Sequence, residues 1–177
     1  MKRSSLPSPV DARKLASNGA VFHTRDEVGR FERFADGLAD REGSVATELE
    51  FYRDEQGGYR LDMQLDADVK LLCQRCLEPM DAKISVGARV QVVWTEAQMQ
   101  ALPRDLDGVI QEDDQLDLQA VVEDELIVAT PYTSYHETAD CGPRRFESVD
   151  EQSAKEQKAE DDQDNPFAVL KSMKEET

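Results

Sequence analysis

Between Ser44 and Trp94 the apolar residues fall on every second position, and that period constrains the fold more than any other feature of the chain. Val45, Thr47, Leu49 and Phe51 alternate with Ala46, Glu48, Glu50 and Tyr52. Tyr59, Leu61, Met63, Leu65 and Ala67 alternate with Arg60, Asp62, Gln64, Asp66 and Asp68. Ile84, Val86, Ala88, Val90, Val92 and Trp94 complete a third run. Side chains in a strand point to opposite faces in turn, so each run predicts a strand with one apolar face. Asp54-Glu55-Gln56-Gly57-Gly58 supplies a hairpin turn between the first two. Three antiparallel strands with one apolar face need a cover, and only helices remain to provide it. The expected fold is therefore α+β: an antiparallel sheet of at least three long strands covered by helices.

Several segments qualify as cover. Asp11–Ser17 reads as a short helix stopped by Asn18-Gly19, and Ala20–His23 as a short strand. Thr24 with Glu27 three residues later has the form of a capping box. It predicts a helix carrying Val28, Phe31, Phe34 and Leu38 on one face. Glu96–Gln100 suggests a helical turn ended by Pro103. Asp117 is a candidate N-cap for a helix with Leu118, Val121, Val122, Glu125, Leu126, Val128 and Ala129 as a broad apolar stripe and Pro131 beyond its end. Glu123, Asp124 and Glu125 on that helix read as a solvated face, with a metal or catalytic carboxylate set as the minority reading because no histidine lies at helical spacing.

Charge divides the chain. There are 38 acidic residues against 21 basic ones, a net charge of −17. Such a field repels phosphate backbones and favours basic partners, which argues against a protein that coats RNA. Apolar residues make up 39%, enough for one modest core. Residues 1–146 are expected to form a single α+β domain. Residues 147–164 are almost free of large aliphatics and read as a disordered acidic linker. Residues 165–174 then form a short amphipathic helix or docking motif, with Asn165 as cap, Pro166 at its first position and Phe167 and Leu170 on its apolar strip. The sequence leaves open whether it packs in cis or docks in trans. The first residues lack the apolar stretch of a signal peptide, and no run approaches the ~20 residues of a membrane helix. A cytoplasmic protein is expected.

Chemistry is sparse. Cys73 and Cys76 flank Gln74-Arg75 between the second and third strands, and Cys141 is the third cysteine of the chain. A sparse, odd set suits a reducing compartment. Cys73-x-x-Cys76 is half of a zinc-site spacing, and His136 with Cys141 could complete a Cys3His set. A redox dithiol is the second reading. It is disfavoured because the pair follows a strand rather than opening a helix, whose dipole would activate the first thiol. Small apolar thiols in a tight turn are the third reading and the leading one. Arg75 is either a surface charge or a contact to a phosphate or carboxylate. His23 reads as an ordinary turn residue. No Ser/His/Asp order, phosphate-binding glycine loop or H-E-x-x-H helix is present, so no catalytic residue is nominated and the chain reads as a non-enzyme.

Four motifs in order, Cys73-Gln74-Arg75-Cys76-Leu77-Glu78-Pro79, Val122–Pro131, His136 with Cys141, and Asn165–Leu170, together resemble the bacterial YceD family of large ribosomal RNA subunit accumulation proteins, formerly a domain of unknown function. The resemblance spans nearly the whole chain. It implies a role in the synthesis, processing or accumulation of 23S ribosomal RNA. It carries over no catalytic residues. With the charge, it suggests binding to a basic ribosomal protein or a large-subunit assembly intermediate, for which Arg75, Glu123, Asp124, Glu125, Pro166, Phe167 and Leu170 are candidate contacts. The alternatives are direct RNA contact through Arg75, Lys70, Lys83 and Arg89, or a zinc-binding or thiol-redox protein using Cys73 and Cys76.

Overall fold

The computed structural model describes residues 5–111, 115–137 and 141. The linker expected over 147–164 and the helix over 165–174, with Pro166, Phe167 and Leu170, lie outside the described residues.

The alternating runs form the three long strands of the fold. They are β2 (Ser44–Arg53), β3 (Tyr59–Leu72) and β4 (Pro79–Val93). Two shorter strands, β1 (Val21–Glu27) and β5 (Asp107–Ile110), extend the sheet to five in the order β1-β2-β3-β4-β5. All neighbours are antiparallel except β5, which runs parallel to β4. The register keeps the apolar set on one side: Leu49 lies opposite Met63, Phe51 opposite Leu61, and Leu61 in turn opposite Val90. A one-residue slip would turn every one of these to water. The hairpin between β2 and β3 is fixed by Asp54, which accepts from the Gly58 N–H at 2.6 Å and from Arg60 Nε at 2.7 Å. Gly57 supplies the left-handed φ of 85° that this turn needs.

Helices α1 (Ala12–Ser17), α2 (Glu32–Ala35) and α4 (Leu118–Ala129) provide the cover, and α3 (Glu96–Gln100) sits between β4 and β5. Phe31, Phe34, Phe51, Leu61, Leu65, Leu118 and Leu126 are all at most 2% exposed. Each is worth about 1.5–3 kcal/mol relative to an exposed position. Asp117 caps α4 by accepting from the Ala120 N–H at 3.1 Å, as its position predicts.

The expected stripe of α4 narrows, because Val128 is 83% exposed and turns away from the Leu118, Val122 and Leu126 that enter the core, and the helix expected after Thr24 fails. No helix starts at Thr24; β1 runs on to Glu27, with Thr24 opposite Thr47 and Asp26 opposite Val45. The Thr24 hydroxyl donates to Asp26 at 3.1 Å instead of receiving a helical N–H. Asp26, buried, also accepts from the Leu6 N–H at 3.1 Å and from Arg30 at 2.6 Å. Pairing along β2 brings seven residues into one antiparallel ladder, which outweighs a cap worth about 1 kcal/mol. Val28, Phe31 and Phe34 still reach the core, but from a 3-10 turn (Val28–Arg30) and the four-residue α2. β5 is a further element that the sequence does not announce.

Candidate metal centre

The strands β3 and β4 pair to the very end, Leu72 opposite Pro79, so residues 73–78 form a tight loop at the tip of the hairpin. The Cys73 N–H donates to the Glu78 carbonyl at 3.0 Å, and the Leu77 N–H to the Cys73 carbonyl at 2.9 Å. Leu77 takes the left-handed conformation, φ 61°, to close it. This turn directs the Arg75 N–H at the Cys73 sulfur, 3.5 Å away.

The chain after α4 runs alongside this tip. The Gln74 N–H donates to the Ser134 carbonyl at 2.8 Å, and the Ser134 hydroxyl to the Leu72 carbonyl at 2.9 Å. That zipper delivers His136 and Cys141. Cys141 Sγ lies 3.7 Å from Cys73 Sγ, and His136 Nδ1 lies 3.4 Å from Cys76 Sγ. The four donor atoms of Cys73, Cys76, His136 and Cys141 all fall within 4.8 Å of one another, so the group could hold a metal ion. Cys73 and Cys141 are buried, while Cys76 and His136 are half-buried. All three cysteines are free thiols.

The electrostatics split the thiols. Burial opposes ionisation of Cys73, but the N–H groups of Cys76, His136 and Arg75 and the His136 side chain outweigh it and bring its pKa down to about 5. Cys141 moves the other way, to about 11, through burial and its contacts with Cys76 and Cys73. Sequence reasoning named all four donors. It missed the Pro79 carbonyl, 3.2 Å from His136 Nε2, because a backbone acceptor leaves no mark in a sequence.

The other nominated residues are dispersed. Arg75 is exposed and lies over the Tyr135 ring, 5.6 Å from its centroid. On α4 the acidic trio is not one solvated face. The Glu123 side chain is only 6% exposed and accepts from Arg33 Nε at 2.9 Å. Asp124 accepts from Arg33 Nη1 at 2.8 Å. Glu125 is half-buried and held above the ordinary carboxylate range by burial, then by Asp107 and Asp124. The helical turn that puts Val122 and Leu126 into the core also carries Glu123 inward, against α2. Lys70 is engaged by Asp40 at 3.1 Å and Glu42 at 3.4 Å, Lys83 by Asp68 at 3.7 Å, and Arg89 by Asp62 at 2.7 Å.

Comparison with known proteins decides the family. The family model described as large ribosomal RNA subunit accumulation protein YceD matches residues 61–174, which includes the hairpin tip, α4 and the His136–Cys141 segment. The chain belongs to the YceD family. A Haemophilus influenzae relative named large ribosomal RNA subunit accumulation protein YceD is 30% identical over 179 residues, covering 98% of this chain and 99% of that protein. No solved structure matches this YceD-family chain. The family's name points to the accumulation of large-subunit ribosomal RNA. Among the described residues, no helix is long and apolar enough to cross a membrane.

Proposed function

We propose that this protein is a non-enzymatic ribosome-biogenesis factor of the cytoplasm. It supports synthesis, processing or accumulation of 23S ribosomal RNA by binding a basic ribosomal protein or a large-subunit assembly intermediate. The observation that carries this reading is the charge. The net value is −17, and the sheet face that no described helix covers presents Glu48, Glu50 and Asp66 to solvent. A surface of that sign raises the local concentration of cationic partners and repels bare RNA. Direct RNA contact through Arg75, Lys70, Lys83 and Arg89 is the weaker reading, because Lys70, Lys83 and Arg89 each face a carboxylate. The family's name supports the link to large-subunit RNA.

The test is affinity capture on the full chain at low salt, followed by identification of bound protein and RNA after nuclease treatment. Recovery of a basic ribosomal protein that survives nuclease supports the reading. Capture of naked RNA without any ribosomal protein or pre-subunit sinks it. In that event Arg75→Glu should weaken the RNA association and flatten its salt dependence.

A further inference from the structure

We propose that Cys73, Cys76, His136 and Cys141 hold one zinc ion in a closed Cys3His tetrahedron. The ion fastens the segment that follows α4 to the tip of the β3–β4 hairpin. Zinc bound by sulfur at about 2.3 Å and by imidazole nitrogen at about 2.0–2.1 Å, in tetrahedral geometry, sets neighbouring sulfurs about 3.8 Å apart and sulfur and nitrogen about 3.6 Å apart. The two pairs here stand at 3.7 Å (Cys73 with Cys141) and 3.4 Å (Cys76 with His136). These two match edges of a coordination tetrahedron, and all four donor atoms lie within 4.8 Å of one another. Each edge joins one donor from the hairpin to one from the later segment.

The surroundings are those of a metal site. A ligating histidine usually donates its other ring N–H to a fixed acceptor. The Pro79 carbonyl is positioned to accept from His136 Nε2 at 3.2 Å, which leaves Nδ1 with the lone pair facing Cys76. Pro79 opens β4, so the acceptor is fixed by the same hairpin that carries Cys73 and Cys76. The Arg75 N–H, 3.5 Å from the Cys73 sulfur, offsets thiolate charge. Three sulfurs and one imidazole suit zinc over magnesium or calcium, which take oxygen. All four positions are filled by protein, so the ion has no open position for substrate and acts as a staple. On binding, the thiols lose whatever protons they still carry, so all three sulfurs coordinate as thiolates.

A tight turn of apolar thiols explains Cys73 and Cys76 but not the convergence of His136 and Cys141 upon them. Among the described residues, the backbone–backbone bonds that zip this segment to the hairpin end at Ser134. Beyond that point the contacts run to the cysteine sulfurs and the Pro79 carbonyl, and one ion would tie the four donors together.

The reduced full-length protein, purified without chelator, should carry one zinc per chain by native mass spectrometry and by elemental analysis. Cobalt in its place should give the visible absorption of a tetrahedral site and a thiolate-to-cobalt charge-transfer band. His136→Ala and Cys76→Ser, both at half-buried positions, should weaken zinc more than about tenfold. Wild-type protein guards against misfolded variants. Chelation should speed amide exchange at Gln74 and residues 134–137 while the β2–β3 ladder stays protected. The proposal is overturned if the reduced chain takes up no stoichiometric zinc when zinc is supplied. It is equally overturned if zinc survives loss of Cys76 and His136 together, or if chelation leaves exchange at residues 134–137 unchanged.

Discussion

At the scale of single residues, Glu123 is the clearest case of a charge whose role depends on where the fold puts it. Its carboxylate is almost wholly buried, while Arg33, its partner, is 52% exposed. The same carboxylate also accepts from the Arg33 backbone N–H at 3.3 Å. Breaking a fully buried pair costs about 3–5 kcal/mol, but water screens the exposed guanidinium. Glu123→Ala is therefore expected to lower unfolding free energy by about 1–3 kcal/mol in urea titration. Glu123→Gln, which keeps the acceptor, should lose less. A loss for both below a few tenths of a kcal/mol would mean the pair contributes nothing. Leu77 presents the opposite case. Its left-handed φ of 61° costs a residue with a Cβ about 1–2 kcal/mol. A glycine there would relieve that strain at an entropic cost of about 0.5–1 kcal/mol. Leu77 is 40% exposed and gives up little burial. Leu77→Gly should thus be neutral or stabilising by up to about 1 kcal/mol, read from the urea midpoint with zinc held constant.

At the scale of elements, helix α4 shows how a cap ties stability to pH. Asp117 accepts from the Ala120 N–H, the main cause of its lowered pKa, and then from the Ser8 hydroxyl. A carboxyl whose pKa is lower in the folded state favours folding when ionised. Its contribution is complete above the ordinary carboxylate pKa of about 3.9 and disappears as pH falls through the lower folded value. Asp62 behaves the same way, held down first by Arg89. Asp117→Ala is expected to cost about 1 kcal/mol at neutral pH. Asp117→Asn, which also caps, should cost less and make the acid limb of the stability profile shallower. An unchanged acid limb would exclude the cap as a contributor. The same element was readable in the sequence, because Asp117 precedes a helical stripe and its contacts are local. Strands β2 to β4 were readable because period two and a Gly57-Gly58 turn are also local signals. β1 was misread beyond His23 because its partner strand begins 17 residues after Glu27, and a local cap pattern says nothing of a distant ladder. β5 has only four residues and pairs in parallel with β4, so it has neither a hairpin nor enough length to show a period.

At the scale of the whole molecule, the candidate metal donors were legible for a compositional reason: the chain holds only three cysteines and two histidines. What brings them together was not legible, since it depends on β3 and β4 pairing to Leu72 and Pro79 and on Ser134 binding Leu72 and Gln74 across about sixty residues. The charge was legible in sign, but its arrangement was not. Arg25 and Lys83 both turn to Asp68 and Arg89 to Asp62, whereas Glu50 faces no cation within 4 Å among the described residues. That sheet face thus has Asp62 and Asp68 paired with cations and is left acidic at Asp66 and toward Glu48 and Glu50, which lie on β2 beside the edge strand β1. If that face attracts a basic ribosomal protein, Glu48→Gln with Glu50→Gln should slow association by a few-fold, roughly, and barely change dissociation, since exposed charges act mainly on encounter. The difference should shrink as salt shortens the Debye length from about 10 Å at 0.1 M to about 3 Å at 1 M. Stopped-flow mixing with the captured partner at the two salt concentrations reads this directly. Equal association rates for the two proteins at low salt would place the contact elsewhere, and a change confined to dissociation would mean these carboxylates are buried in the complex.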